Sequence, residues 1–279
     1  MLRVLNLGAG VQSTTLYLWA LDGHIQIDRA IFADTGDEPE AVYWHLDFLI
    51  SMNGPPIDIV YASRTSLGDN LTTGIPEQSG RHISIPAFLN VLEGAPPALG
   101  RRQCTQEYKV RPIEQRVREL CGLDKGQRAK EQLAVQIMGL SFDEPKRVAN
   151  VKNRFQSIAW SKPEFPLFDD YMTRSDCVAY LERRLPGYTV PRSACVYCPF
   201  HSDEEWLSVK ENPYDWGRAV EIDQAIRTDG SKCNAGLDAK MYLHRSCKPL
   251  DQIEFKKADP DRQKKLSFST MDCEGMCGV

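Results

Sequence analysis

The sequence predicts an α/β fold, a doubly wound parallel sheet with a Cys-rich C-terminal region. Three observations predict it. Three short apolar runs near the N-terminus alternate with two segments of helical periodicity, the order that builds parallel strands joined by helices. The first two runs each end in a glycine-bearing turn, Gly8-Ala9-Gly10 and Asp34-Thr35-Gly36. Cysteines gather late in the chain, as a Cys195/Cys198 pair and a Cys273/Cys277 pair.

Each element follows from its residues. Leu2 to Leu7 reads as a short buried strand. Ser13 to Leu21 reads as a helix with Leu16, Trp19 and Ala20 on its apolar face. Arg29 to Ala33 is a second strand. Pro39 to Ile50 is a second helix, with Ala41, Val42, His45, Leu46 and Leu49 at helical spacing. Ile57 to Tyr61 is a third strand, and the crossovers between these strands are expected to be right-handed. Leu67 to Gly100 is rich in Gly and Pro and reads as a long functional loop, with one helical turn near Ala87–Leu92. Arg111 to Leu120 is an amphipathic helix, and Leu133 to Leu140 a further buried strand. Asp176 to Arg184 is a helix capped by Asp176 or Ser175. Glu204 to Lys210 and Tyr214 to Arg227 are helices. Asp259 to Val279 is polar, then Cys/Gly-rich.

The chain has 279 residues, enough for one large domain or a domain with a small appendage. The expected division is 1–190 for the sheet domain and 191–279 for a helical, Cys-rich region. Apolar residues are 42% and charged residues 26%, which excludes wholesale disorder. A net charge of -4 excludes a chain-wide cationic field for nucleic acid but leaves room for a local basic segment. No apolar run approaches the ~18–20 residues of a membrane span. The N-terminal residues lack the order of a secretory signal, so the cytoplasm is the expected location. An odd count of nine cysteines argues against a disulfide scaffold.

Five segments carry chemistry. Gly8-Ala9-Gly10-Val11-Gln12-Ser13-Thr14 is a glycine turn entering a helix. Its backbone N–H groups and the helix dipole suit an anion, with Ser13 and Thr14 as hydroxyl donors. It equally reads as a tight strand-to-helix turn, and it is not the GxxxxGK[ST] of ordinary P-loop NTPases. Asp34-Thr35-Gly36-Asp37-Glu38 places Asp34 at the carboxyl end of the second strand, where it would meet a ribose hydroxyl or a metal such as Mg. The same acids would also favour a helix N-terminus. Arg101 to Arg111 holds four cations (Arg101, Arg102, Lys109 and Arg111) around Cys104, a candidate phosphate-holding segment or a solvated helix start. Gly139-Leu140-Ser141-Phe142-Asp143-Glu144-Pro145-Lys146-Arg147 follows a strand and falls on the same sheet edge. Cys195-Val196-Tyr197-Cys198-Pro199 presents two thiols to one metal, and the spacing alone fits zinc, iron–sulfur or redox use. Trp206, Trp216 and Phe200 are aromatic candidates for stacking a base, with core packing the preferred role.

Taken in order, these segments resemble the phosphoadenosine phosphosulfate reductase family. That family belongs to the PP-loop, or adenine nucleotide α-hydrolase-like, superfamily, whose fold is Rossmann-like. The resemblance rests on Gly8–Ser13, Asp34-Thr35-Gly36, Cys104…Lys109…Pro112, Gly139…Glu144…Arg147, Pro166-Leu167, Cys195/Cys198 and Cys277, and spans nearly the whole chain. Gln12 stands where ATP-cleaving members carry an acid. Cys104-Thr105 looks like the iron–sulfur DNA phosphorothioation subgroup rather than the Cys-Cys pair of adenylyl sulfate reductases. The tail lacks the Glu-Cys-Gly-Leu-His signature of the reductases.

The resemblance implies a nucleotide site of Gly8, Ala9, Gly10, Gln12, Ser13, Thr14, Asp34, Thr35, Gly36, Gly139, Glu144 and Arg147. It implies a [4Fe-4S] cluster on Cys104, Cys195 and Cys198, with Cys273 as fourth ligand and Cys277 as alternative ligand or nucleophile. Structural zinc on the same cysteines is the rival. Asp34, Arg102, Lys109 and Cys277 are the expected catalytic residues. The implied ligand is ATP or an adenylyl sulfate. Two chemistries follow, ATP-dependent sulfur insertion into a nucleic acid or nucleobase and sulfonucleotide reduction releasing sulfite. A non-catalytic, zinc-stapled nucleotide binder is the third. The expected partners are a nucleic acid acceptor and a sulfur donor or thiol reductant protein, with no membrane; self-association into a homo-oligomer is left open.

Overall fold

The computed structural model describes residues 1–90, 96–228 and 239–256. Five parallel strands form the central sheet in the order β3-β2-β1-β6-β7. They are β1 (Leu2–Leu7), β2 (Arg29–Asp34), β3 (Ile57–Tyr61), β6 (Ala134–Met138) and β7 (Ser161–Glu164). β1 is central, with Leu5 opposite Ala30 on one side and Ile137 on the other. Its last four residues are buried, which is why a continuous apolar run marks it. A polar chain crosses the buried sheet: Asn6 Nδ2 donates to Gln136 Oε1 (3.1 Å) and Gln136 Nε2 to Ser161 Oγ (3.2 Å).

Helices cover the sheet. α1 (Val11–Leu21) starts two residues earlier than the apolar periodicity predicts, because Gly10 acts as its N-cap. α2 (Glu40–Ser51) packs Val42, His45, Leu46 and Leu49 inward. α5 (Pro145–Phe155) and β7 are absent from the sequence reading. Pro145 at the first helical turn is the missed start signal. β7 is short, carries Pro163, and sits at the sheet edge, where proline is tolerated. The short helix α6 (Pro166–Asp169) leads to α7 (Arg174–Arg184). α7 begins earlier than expected. Its cap is Thr173 rather than Ser175 or Asp176, and Asp176 Oδ2 accepts from Thr173 N (2.9 Å) in a capping box.

The Gly/Pro-rich stretch is more ordered than a loop. It holds α3 (Leu67–Thr72) and two short strands, β4 (Phe88–Leu89) and β5 (Ala98–Leu99). The helical turn expected from Ala87 is thus extended at Phe88–Leu89, pinned between β5 and β8 (Met241–Tyr242) in an antiparallel sheet. A wide-turned π-helical segment, Thr105–Val110, runs straight into α4 (Arg111–Leu120). Segments of this kind are rare and gather at functional sites. α8 (Asp203–Glu211) and α9 (Pro213–Arg227) complete the fold.

Two apolar clusters back the sheet. A third joins Leu67, Leu71, Ile83, Ile85 and Tyr108 to Val196, Tyr197, Trp206, Ile222 and Leu250. The described residues after 191 therefore share a core with residues 67–108. Among the described residues no helix is long and apolar enough to cross a membrane.

Candidate functional site

The chain steps from β1 outward to β2 and β3, then returns to the other side of β1 for β6 and β7. The reversal lies between β1 and β6, and open α/β sheets bind ligands at such a point, beyond the carboxyl ends of the strands. The Gly8–Ser13 turn therefore borders the reversal, and Asp34 stands one strand away from it. Gly8–Ser13 follows β1 and Gly139–Glu144 follows β6, so both segments meet at the reversal. A Cβ on Gly139 would stand 3.0 Å from Ser13 N and 3.2 Å from Ser13 Cα, so a side chain there would push the two turns apart.

Within the turn, Ala9 takes a left-handed backbone, φ 58°. The N–H groups of Gly8 and Gly10 both point at Ser13 Oγ, 3.2 Å from each. Those are the donors an anion would use. Gln12 is almost fully buried and belongs to a different network. Its Nε2 donates to Glu144 Oε2 (3.1 Å) and Ser141 Oγ (3.3 Å), and its Oε1 accepts from Arg174 (2.7 Å). Glu144 and Arg147 pair with each other. Thr14, expected to face a phosphate, turns into the core. It is fully buried, and its hydroxyl lies 2.9 Å from His45 Nε2. His45 Nδ1 is 2.8 Å from Tyr188 Oη, and burial lowers the imidazole pKa to about 4.

The loop after β2 divides its side chains between two sides. Asp34 Oδ1 accepts from Gly36 N (2.7 Å) and Tyr43 Oη (2.9 Å). Burial, then the Asp34 charge, pushes the Tyr43 phenol well up. Gly36 has φ 78°, and a Cβ there would lie 2.8 Å from Ser66 Cβ. Thr35 Oγ1 donates to Glu38 Oε1 (3.2 Å) and lies 3.3 Å from Cys195 Sγ. A hydroxyl has one proton, so Thr35 accepts from the Cys195 thiol in this arrangement. Lys109 Nζ pairs with Glu38 Oε1 at 3.0 Å, and both side chains are buried.

These residues border a narrow cavity of about 30 Å³, lined by Cys104, Cys195, Cys198, Arg102, Lys109 and Phe200 among others. Three cysteines as much as 94 residues apart in sequence thus share one wall-to-wall space. Burial pushes the Cys195 thiol well up, and Glu38 adds to this; Lys109 and Thr35 oppose it. Arg102 lies over the Phe200 ring, 5.1 Å from its centroid. The expected basic cluster is dispersed: Lys109 is buried against Glu38, and Arg111 faces Glu107 at 3.9 Å.

A larger cleft lies across the same loop, lined by Gly36, Asp69, Tyr43, Tyr214, Asp215 and Arg218, among others. Thr35, Cys195 and Tyr197 face the thiol cavity, whereas Gly36 and Val196 face the cleft. The two segments therefore form a partition.

Trp206 is fully buried and serves the core. Trp216 takes Lys210 over its ring (5.3 Å) and packs edge-on against Phe255. Cys177 is buried in the sheet core. Cys233, Cys273 and Cys277 lie outside the described residues. Among the described residues no three His, Cys, Asp or Glu side chains stand close enough to hold a single metal ion. A [4Fe-4S] cluster takes one thiolate per iron, so it does not ask three thiols to converge on one ion. Soft thiol donors and apolar walls are the donor chemistry such a group takes.

The sequence reading missed Arg174, Tyr43, Tyr197 and Arg218 as members of this region. Arg174 reaches Gln12 across 162 positions, and no local signal announces such a pair. No family model matches the chain, and neither does any curated protein or solved structure.

Proposed function

We propose that this chain is an adenine-nucleotide-binding iron–sulfur enzyme, similar to the phosphoadenosine phosphosulfate reductase-like family, that inserts sulfur into a nucleic acid or nucleobase using ATP. The observation that carries the reading is the shared cavity of Cys104, Cys195 and Cys198, bordered by Thr35 of the loop after β2, the strand beside β1. In the reaction an acceptor oxygen attacks the α-phosphate of ATP and diphosphate leaves. Sulfur then replaces that oxygen, and AMP departs with it. The Gly8–Ser13 turn would hold the phosphates, with Mg as their counter-ion, and Asp34 would face ribose or metal. Cys104, Cys195 and Cys198 would hold a [4Fe-4S] cluster with Cys273, and such a cluster would supply a soft site for the incoming sulfur. Arg102 would meet the anionic intermediate. A donor protein would deliver sulfur, and the proposed location is the cytoplasm.

A second reading has its own support. Gln12 itself brings no charge to the turn; it binds the Arg174 guanidinium on one side and Glu144 on the other, and Glu144 is already paired with Arg147. That charge pattern suits an adenylyl sulfate. The Cys277 thiolate would then attack its sulfur, AMP would leave, and a thiol reductant would release sulfite from the resulting Cys-S-sulfonate.

The test is an anaerobic absorbance spectrum with iron and zinc analysis, followed by product analysis with ATP and with adenylyl sulfate. Brown protein with about four irons per chain and AMP plus diphosphate from ATP supports sulfur insertion. Sulfite from adenylyl sulfate, lost in Cys277→Ser, supports reduction. One zinc and no colour overturns both cluster readings.

A further inference from the structure

The partition between the two cavities is held from one side by an ion pair that touches neither thiols nor the glycine turn. Asp37 follows Gly36, and its side chain is only 2% exposed. Its Oδ2 accepts from Gly68 N (2.7 Å) and Tyr197 Oη (2.8 Å), and its Oδ1 from Arg218 Nε (2.8 Å). Its backbone oxygen accepts from Val196 N (2.9 Å). Tyr197 and Val196 are the two residues between Cys195 and Cys198. Asp37 therefore grips the centre of the Cys-x-x-Cys turn twice, by its carboxylate at Tyr197 and by its backbone oxygen at Val196.

Arg218 orients that carboxylate. Its Nη2 also donates to Ser66 Oγ (3.0 Å) and Asp69 Oδ1 (2.7 Å), and its Nη1 to Glu221 Oε2 (2.9 Å). The planar fork ties α9, the start of α3 and the β2 loop to one point. Cys104 arrives independently, at the head of the π-helical segment. Its placement against Cys195 and Cys198 depends on how the Cys-x-x-Cys turn is seated on the loop.

We propose that Arg218 is a positioning residue. Acting through Asp37 and Tyr197, it sets the Cys195–Cys198 turn at the distance from Cys104 that lets all three thiols serve one ligand group. This rests on the shared-site reading above. A lysine in its place would keep the charge but lose the fork.

The experiment uses the full chain, reduced and stripped of metal, treated with dibromobimane. Each of two adjacent thiolates displaces one bromide, and the bridged product fluoresces. Peptide mapping then gives the fraction of bridges that include Cys104 and the fraction that join Cys195 to Cys198. In the native sequence bridges to Cys104 are expected. Arg218→Met is expected to cut them about tenfold, the equivalent of one charged hydrogen bond, while the Cys195–Cys198 bridge is unchanged. Arg218→Lys should fall between the two. Asp37→Asn removes the ion pair with little change of shape, and it decides the matter if Arg218→Met does not fold. Native-level Cys104 bridges in Asp37→Asn, or in a folded Arg218→Met, overturn the role. A native chain that forms Cys195–Cys198 bridges but none to Cys104 overturns the shared-site reading itself.

Discussion

The glycine turn and the thiol cavity lie at the same end of the molecule but are built differently. At the turn the polar groups satisfy one another: Ser13 takes the Gly8 and Gly10 amides, and Gln12 is shared among Ser141, Glu144 and Arg174. The energy there is spread over neutral or partly buried hydrogen bonds and close backbone packing. At the cavity it is concentrated in a few groups, the buried Glu38–Lys109 pair and the half-buried Cys195 thiol. The turn should therefore tolerate single changes that the cavity wall does not.

The largest expected effect tests that contrast directly. Lys109→Met removes the cation 3.0 Å from a buried carboxylate and should cost about 3–5 kcal/mol in urea unfolding. The double change with Glu38→Gln should recover most of the loss. If the single change costs less than the turn variants below, the comparison fails.

Next is acid. His45 is neutral in the fold because burial depresses its pKa to about 4, against an ordinary value of 6.5. Below pH 6.5 the unfolded chain takes the proton while the folded one does not. Stability is therefore lost as the pH falls from 6.5 towards 4, by about 3 kcal/mol at most. His45→Gln should flatten that slope, as chemical unfolding between pH 7 and 4 would show. A slope unchanged by the substitution would remove His45 as the buried weak point beneath the turn.

Arg174→Met should cost about 2 kcal/mol, since it leaves Gln12 Oε1 without its charged donor. Nucleotide affinity, read by calorimetry, should fall further than stability does if the turn holds a phosphate. The smallest effect is Gly36→Ala. Its φ of 78° and the approach of Ser66 together imply about 1–2 kcal/mol in thermal unfolding. A neutral result there would mean that the partition is softer than the cavity it bounds.

Much of the turn was legible in the chain. A buried run ending in Gly8-Ala9-Gly10 and followed by helical spacing gives β1, the turn and α1 from local rules alone. The sheet edge for Asp34 and Gly139 follows from the same alternation. The exceptions are also physical. β7 carries a proline and too little periodicity to announce a strand, and β4 becomes extended only because β5 and β8 flank it.

The sequence by itself determined the parallel sheet, its glycine turns and a late supply of thiols, because periodicity and turn chemistry act over a few residues. Tertiary structure alone decided that Cys104 meets Cys195 and Cys198, that Lys109 is sealed against Glu38 rather than offered to a phosphate, and that Gln12 answers to Arg174. Those partners lie 71 to 162 positions apart. Over such separations no local preference selects a partner; packing of the two cores does.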